Sequence, residues 1–286
     1  MTLAPLPRVM LEPLARYALQ EDLGRAGDVT SDALIPPSEV ATFALTARDA
    51  GVIAGLDLAR LAFQLADSAA TIELTAYRSD GDRVGPGDVL ATVSGSVRSI
   101  LTGERVALNF LGHLSGIATA TATIADAIAH TSASVCCTRK TTPGLRAVEK
   151  YAVRAGGGAN HRFGLDDAIL VKDNHIAIAG SIATAVSRAK AAAGHLMSIE
   201  VEVDSLDQLE ELLRDPVTAV LIDNFTPEMA AEAVRLVDGS MVVEASGRVN
   251  AQTAPALADA GVDIISAGWI THSAAVLDIG LDDAEQ

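Results

Sequence analysis

Aromatic side chains are scarce in this chain: Phe, Trp and Tyr make up 3% of its 286 residues, although 49% of residues are hydrophobic. A core with so few rings must be built from Ala, Val, Leu and Ile, which suits helices packed on parallel strands and points to an α/β class. Cysteine is nearly absent. Cys136 and Cys137 are adjacent and alone, which gives neither metal-ligand spacing nor a disulfide framework, so both are expected as buried strand residues. No apolar run reaches the roughly 18 residues that span a bilayer. The opening MTLAPLPRVMLEPLARYALQED reads as an amphipathic helix lacking the apolar core of a signal peptide. These features lead us to expect a cytoplasmic protein with no membrane partner. Positive charge is the other shortage, since 21 Lys and Arg face 37 Asp and Glu for a net charge of -16. Duplex nucleic acid needs a basic face large enough to displace counterions, so it is excluded as a general partner.

The few cations that exist are concentrated. Residues 138–175 hold seven of the 21 Lys and Arg, and from Arg139 through Arg162 six of them accompany the single acid Glu149. Arg146, Lys150 and Arg154 lie four residues apart, a spacing that stacks them along one side of a helix and assigns them to surface or partner contacts. Arg139, Lys140, His161, Arg162 and Lys172 fall instead at predicted loops and strand ends, where they point to an anionic ligand. Planar carboxylates need paired donors, which Arg139 and Arg162 supply better than lysine could.

Residues before about 100 mix a helix at 9–21, alternating strands at 41–47 and 71–77 and a helix at 56–66, the pattern of a small α+β domain. SDGDRVGPGDVLATVSG sets turns at Asp80-Gly81 and Gly85-Pro86-Gly87 and predicts a tight β-hairpin. It is similar to the hairpins of biotinyl and lipoyl carriers, but no Lys occurs between Tyr77 and Arg98 for attachment, which favours a structural role. A long helix over 99–129 is expected to bridge two domains, with Gly112 and Gly116 letting another backbone approach closely. From residue 134 strands at 134–138, 168–171, 199–203, 219–222, 241–244 and 263–266 alternate with helices at 144–154, 182–193, 206–214, 227–237 and 251–260. Repeated βα units imply a parallel sheet and an incomplete α/β barrel, with a doubly wound open sheet as the structural alternative.

Nearly every predicted strand ends in polar chemistry: Arg139 and Lys140, then Lys172, Asp173 and Asn174, then Glu202, Asp223 and Asn224, Glu244, Ser246 and Gly247, and Gly268. In a barrel these ends share one rim. Glu202 and Asp223 could hold Mg²⁺ through water, bind sugar hydroxyls or face a cationic sugar carbon. Ser246-Gly247 and Ala267-Gly268 are small enough for backbone amides to approach a phosphate. On the residues alone, a Schiff-base aldolase using Lys172 stays open, as does an anion-binding module built on the hairpin.

TRKTTPGLRAVEKYAV, GGGANHRFGLDDAILVKDNH, EVEVDS, LIDNF, AGWITHS and ERVALNFLGHLSGIAT together resemble the quinolinate phosphoribosyltransferase family, the carboxylating nicotinate-nucleotide pyrophosphorylases, over essentially the whole chain. The resemblance implies a type II phosphoribosyltransferase architecture. An N-terminal α+β sandwich domain would cover 1–115, with 273–286 packing on it, and an incomplete α/β barrel would cover 116–272. It also implies homodimers, compatible with higher oligomers, in which the sandwich of one subunit lies over the barrel mouth of the other. The implied activity joins quinolinate to phosphoribosyl pyrophosphate with loss of carbon dioxide, a step of NAD biosynthesis. By the same resemblance Arg139, His161, Arg162 and Lys172 would bind the carboxylates of quinolinate beside Thr138, with Arg105 entering from the neighbouring subunit. Lys140 and Lys172 would contact phosphoribosyl pyrophosphate, and Glu202 and Asp223 its ribose or the attendant Mg²⁺, these four carrying the catalysis. Ser246, Gly247 and Arg248, with Ala267, Gly268 and Trp269, would surround the 5-phosphate, and Glu104 and His175 would support the site. Cys137, Arg248 and Trp269 depart from the family pattern.

Overall fold

The computed structural model describes residues 3–67, 69 and 71–284. Its strands in chain order are β1 (Val40–Ala47), β2 (Gly51–Val52), β3 (Glu73–Ala76), β4 (Arg83–Val84), β5 (Val89–Ser96), β6 (Ser134–Cys136), β7 (Ala168–Val171), β8 (Ser198–Val203), β9 (Ala219–Asp223), β10 (Val242–Ser246), β11 (Ile264–Ser266) and β12 (Ile279–Asp283). The chain divides into two units, and the division falls inside the helix Val97–Ala127. One unit takes the chain through Ala120, adds Thr142–Gly157 and resumes at Ser273; the other comprises Thr121–Thr141 and Gly158–His272.

The first unit is built on an antiparallel sheet of order β12-β1-β5-β3. Leu45 of β1, Leu90 and Val93 of β5 and Phe63 of the helix Leu56–Ala66 are fully buried together with Ile100 and Leu111. Burying each such side chain stabilises the fold by about 1.5–3 kcal/mol. The predicted hairpin over 79–95 does not form. β4 pairs with β2, whereas β5 pairs with β1 and β3, so the two segments enter different sheets. The turn itself is present, because Gly85 N–H donates to Asp88 Oδ2 (2.8 Å) and Asp88 N–H to the Gly85 carbonyl (3.1 Å). Turn residues specify the reversal, but the pairing partner is decided by which neighbouring strand offers a matching edge.

Gly112 and Gly116 admit the chain's return. A Cβ at Gly112 would lie 2.9 Å from the Leu277 carbonyl oxygen, one at Gly116 would collide with the carbonyl oxygen of Ala275, and Leu277 N–H donates to the Gly112 carbonyl (3.0 Å). The chain then forms β12, antiparallel to β1. The helix Arg146–Ala155, expected among the barrel helices, belongs to the first unit. Its Tyr151 hydroxyl donates to Asp80 Oδ2 (2.8 Å), and its buried Glu149 accepts from His113 Nε2 (2.9 Å) and from Thr142 N–H (3.0 Å). The assignment of Lys150 to the surface is wrong: it is 0% exposed, while Arg154 is exposed. At 3.6 residues per turn, each step of four rotates about 40° around the axis, so a stack at that spacing slants from the solvent face onto the buried one.

The second unit carries a six-stranded, fully parallel sheet of order β6-β11-β10-β9-β8-β7. β6 and β7 lie at opposite ends of this order, so the barrel is not closed. Beyond β6 the pairing continues as one parallel bridge, Cys136 to Ala159. Helices begin where sequence chemistry places their caps: Ser181, Ser205 and Thr226 each accept a backbone N–H from the first turn through the side-chain oxygen. Cys136 and Cys137 are both buried, at and just after the end of β6.

Candidate active site

Side chains alternate between the two faces of a strand, and in the second unit that alternation separates apolar from charged residues. In β8 Ile199, Val201 and Val203 are buried on one face, leaving Glu200 and Glu202 on the other. The same parity puts Leu221 and Asp223 of β9, Glu244 and Ser246 of β10, and Ser266 of β11 on the wall of one cavity of about 400 Å³. Leu170 and Lys172, at the end of β7, face it as well. Thr138, Arg139 and Lys140 enter just after β6, and His161 and Arg162 from the segment before β7.

Nine of the residues expected at the site therefore meet in one place: Thr138, Arg139, Lys140, His161, Arg162, Lys172, Glu202, Asp223 and Ser246. Gly268 adjoins them, since a Cβ there would lie 2.8 Å from Lys140 Cδ. Gly247 has φ +112°, and a side chain on it would collide with Asn224 Oδ1, so this turn accepts only glycine. Other expected residues are not brought to the cavity wall. Ala267 is buried, and its amide donates to the Cys136 carbonyl (3.0 Å). Trp269 directs its indole N–H to the Val249 carbonyl (2.8 Å). Arg248 is exposed with φ 46°. Arg105 belongs to the first unit, where it lines a separate cavity of about 340 Å³ with Asp22, Asn109 and His113. Glu104 lies in that unit too, and His175 accepts the Lys172 N–H on Nδ1 (2.9 Å) at the start of the helix Asp173–Ala179.

The positive lining is prepared for an anion. Burial, and then the nearby charge of Arg139, lowers the pKa of Arg162, a cost that a bound anion would remove. Arg162 Nη1 donates to the Ala168 carbonyl (2.9 Å), while its buried Nε has no hydrogen-bond partner in the structure. Lys172 Nζ is paired with Glu202 Oε2 (2.6 Å), an ion pair at the open side of the cavity and a poor setting for a free-amine nucleophile. Asp223 accepts from Asn224 Nδ2 (2.6 Å). The loop carrying Lys140 is fixed by Thr271, whose hydroxyl donates to the Lys140 carbonyl (2.8 Å). Cys137 tethers the segment bearing His161, its thiol donating to Asn160 Oδ1 (3.3 Å).

Sequence reasoning missed Glu200 and gave Glu244 no role. His161 Nε2 donates to Glu200 Oε2 (2.9 Å) and lies 3.7 Å from Glu244 Oε2. Glu200 is 8% and Glu244 5% exposed. Burial first, then the charge of Glu200, pushes the Glu244 carboxyl up to about 7. The signal was available, because Glu200 has the same parity as Glu202 in the run Ile199 to Val203.

A family model for the C-terminal domain of quinolinate phosphoribosyl transferase matches residues 117–282, and one for its N-terminal domain matches 28–115. A curated relative from Mycobacterium leprae, nicotinate-nucleotide pyrophosphorylase (carboxylating), is 43% identical over 270 residues, covering 93% of this chain and 95% of that one. The crystal structure of NadC from Streptococcus pyogenes superimposes with a TM-score of 0.94 at 41% identity, covering 98% of each chain. The nicotinate-nucleotide pyrophosphorylase of Francisella tularensis does so with a TM-score of 0.92 at 37% identity, covering 99% of each chain. With both domain models in sequence and a cavity that gathers the charged residues of the family's motifs, the chain belongs to the quinolinate phosphoribosyl transferase family.

Proposed function

We propose that this chain transfers the phosphoribosyl group of phosphoribosyl pyrophosphate to quinolinate and decarboxylates the adduct, releasing pyrophosphate, carbon dioxide and nicotinate mononucleotide. The observation that carries the reading is one cavity lined by Arg139 and Arg162, with an unfilled donor on Arg162, and by the carboxylates of Glu202 and Asp223. A cationic half receives a planar diacid and an acidic half receives a sugar.

Arg139 and Arg162 fix the two carboxylates and so aim the ring nitrogen. The nitrogen lone pair forms a bond to the anomeric carbon as the bond to pyrophosphate breaks, and that electron pair leaves with pyrophosphate. Lys140 and Lys172 neutralise the departing charge, Lys172 exchanging Glu202 for the diphosphate. Glu202 is thereby released to face the sugar carbon as it turns cationic, alongside Asp223. The bond from the ring to its 2-carboxylate then breaks, its electrons held beside the positive ring nitrogen, and a proton replaces carbon dioxide. Mg²⁺ fits the hard oxygen donors Glu202 and Asp223 through water, and would supply further charge neutralisation at the diphosphate. We place the enzyme in the cytoplasm as a homodimer, with Arg105 reaching the cavity of the neighbouring subunit; exposure of Arg105 supports this. Among the described residues no helix is long and apolar enough to cross a membrane.

Purified protein mixed with quinolinate, phosphoribosyl pyrophosphate and Mg²⁺ should form nicotinate mononucleotide, and omission of each component in turn should abolish it. Arg139→Ala or Lys172→Ala should fold normally and lose turnover by about 30- to 1000-fold, the effect of roughly 2–4 kcal/mol of lost charged contact. Near-normal turnover in either variant would refute the assigned roles.

A further inference from the structure

The reaction proposed above leaves one atom unsupplied. When the 2-carboxylate departs, its bonding pair remains on the ring carbon, and the product carries a hydrogen there. The cationic residues that grip the diacid are poor sources. Guanidiniums do not release protons at physiological pH. Lys172 is paired to Glu202 and, like Lys140, is exposed, nearer the open side of the cavity than its floor.

The floor holds three titratable groups within 4.8 Å of one another, His161, Glu200 and Glu244. The Arg162 backbone N–H donates to His161 Nδ1 (2.7 Å), which leaves the imidazole proton on Nε2, where it is donated to Glu200. Glu200 is thus the acceptor of the His161 Nε2 proton. Glu244 differs. It lines the cavity and is 5% exposed, and its Oε1, fully buried, has no hydrogen-bond partner in the structure. A buried carboxyl oxygen without a donor is costly as an anion and far less so as an acid. Besides Glu200 and His161, the hydroxyl of Ser266 acts on Glu244, and the cations Arg139 and Arg162 line the same cavity.

We propose that Glu244 is held as a carboxylic acid and donates its proton to the ring carbon as carbon dioxide leaves it. The bond from the ring to the carboxylate breaks with its electrons on carbon, a C–H bond forms with the Glu244 proton, and Glu244 is left as a carboxylate that regains a proton from solvent after product release. The neutral acid also spares the quinolinate dianion a fixed negative charge on this part of the cavity wall. Burial sets the acid's proton affinity near neutrality, where an acid is strong enough to donate and still loaded.

The inference rests on the proposed reaction, and pyrophosphate and carbon dioxide released in a single turnover test the two separately. Glu244→Gln keeps shape and neutrality but has no proton to lose. It should release pyrophosphate at a rate within a few-fold of the parent and bind quinolinate unchanged, whereas release of carbon dioxide and nicotinate mononucleotide should fall about 100-fold or more. In the parent protein, release of carbon dioxide should slow as pH rises through about 7 while release of pyrophosphate does not, a test that needs no variant. Carbon dioxide release equal to the parent's in Glu244→Gln, or the same pH dependence for both products, would overturn the role of Glu244. Absence of pyrophosphate from the parent protein would instead defeat the reaction itself.

Discussion

Replacing Glu244 with Gln should make the ligand-free protein more stable in alkaline solution, and the size of that gain follows from the burial of one carboxyl. In the unfolded chain this carboxyl releases its proton near its ordinary value of 4.5; in the fold, burial and the neighbouring charge of Glu200 delay release to about 7. Between those values the folded state binds more protons than the unfolded state, so stability falls as pH rises through the interval, and the whole loss is present above it. At 1.36 kcal/mol per tenfold change in proton affinity the loss is roughly 3 kcal/mol. Gln cannot ionise and escapes it. The variant and the parent should therefore differ least below the window, and the variant should gain about 2–3 kcal/mol above it, or roughly 5 °C or more in melting temperature for a fold of this size. Calorimetry of both proteins at several pH values across the window measures this directly. Parallel pH profiles, with no growing gap in favour of Gln, would show that Glu244 is ionised in the fold at neutral pH.

Other consequences can be checked more simply. Gly268→Ala would place a Cβ 2.8 Å from Lys140 Cδ and push that exposed side chain aside. Turnover with phosphoribosyl pyrophosphate should drop about tenfold, the effect of weakening one charged contact by roughly 1.4 kcal/mol, while the melting temperature stays put. Gly116→Ala would drive a methyl group into the Ala275 carbonyl. It should destabilise the protein by about 1–3 kcal/mol, read as a lower denaturation midpoint, without altering the KM of protein that remains folded. Arg105→Ala and Lys172→Ala, each inactive alone, should regain activity when the two proteins are mixed and allowed to exchange subunits; a mixture as inactive as its components would place Arg105 outside the shared site.

Most regular elements of the second unit were legible in the sequence because period, length and cap agree there. The helix Pro227–Val237 starts at a Thr whose oxygen accepts the Met229 N–H and has Pro in its first turn, so its bounds were read correctly. The charged rim was legible for a different reason, since cations at strand ends in a chain this acidic have few other uses. Local pattern failed where partners are remote. β4 and β5 flank a good turn, yet their edges are claimed by β2 and by β1 with β3. Lys150 sits at a spacing that marks a stripe, but a stripe says nothing of what covers it. Glu200 was passed over and Glu244, though named at a strand end, was given no role, because an acid's place in a strand does not show what covers it; only the packing of strand faces buries both. The helix Trp269–His272 is too short to show a period.

The pairing of β1 with β12 has a bearing on how the protein is made. Residues 40–47 leave the ribosome early, but the strand that covers their free edge, residues 279–283, is translated after the whole parallel sheet. During synthesis that edge of β1 must stay uncovered, with its N–H and C=O groups open to other nascent chains. The second unit, whose own strands arrive consecutively, can fold before the first is complete. Aggregation on overexpression is expected to begin at β1, and a nascent chain stalled just short of β12 would be the species most dependent on a chaperone.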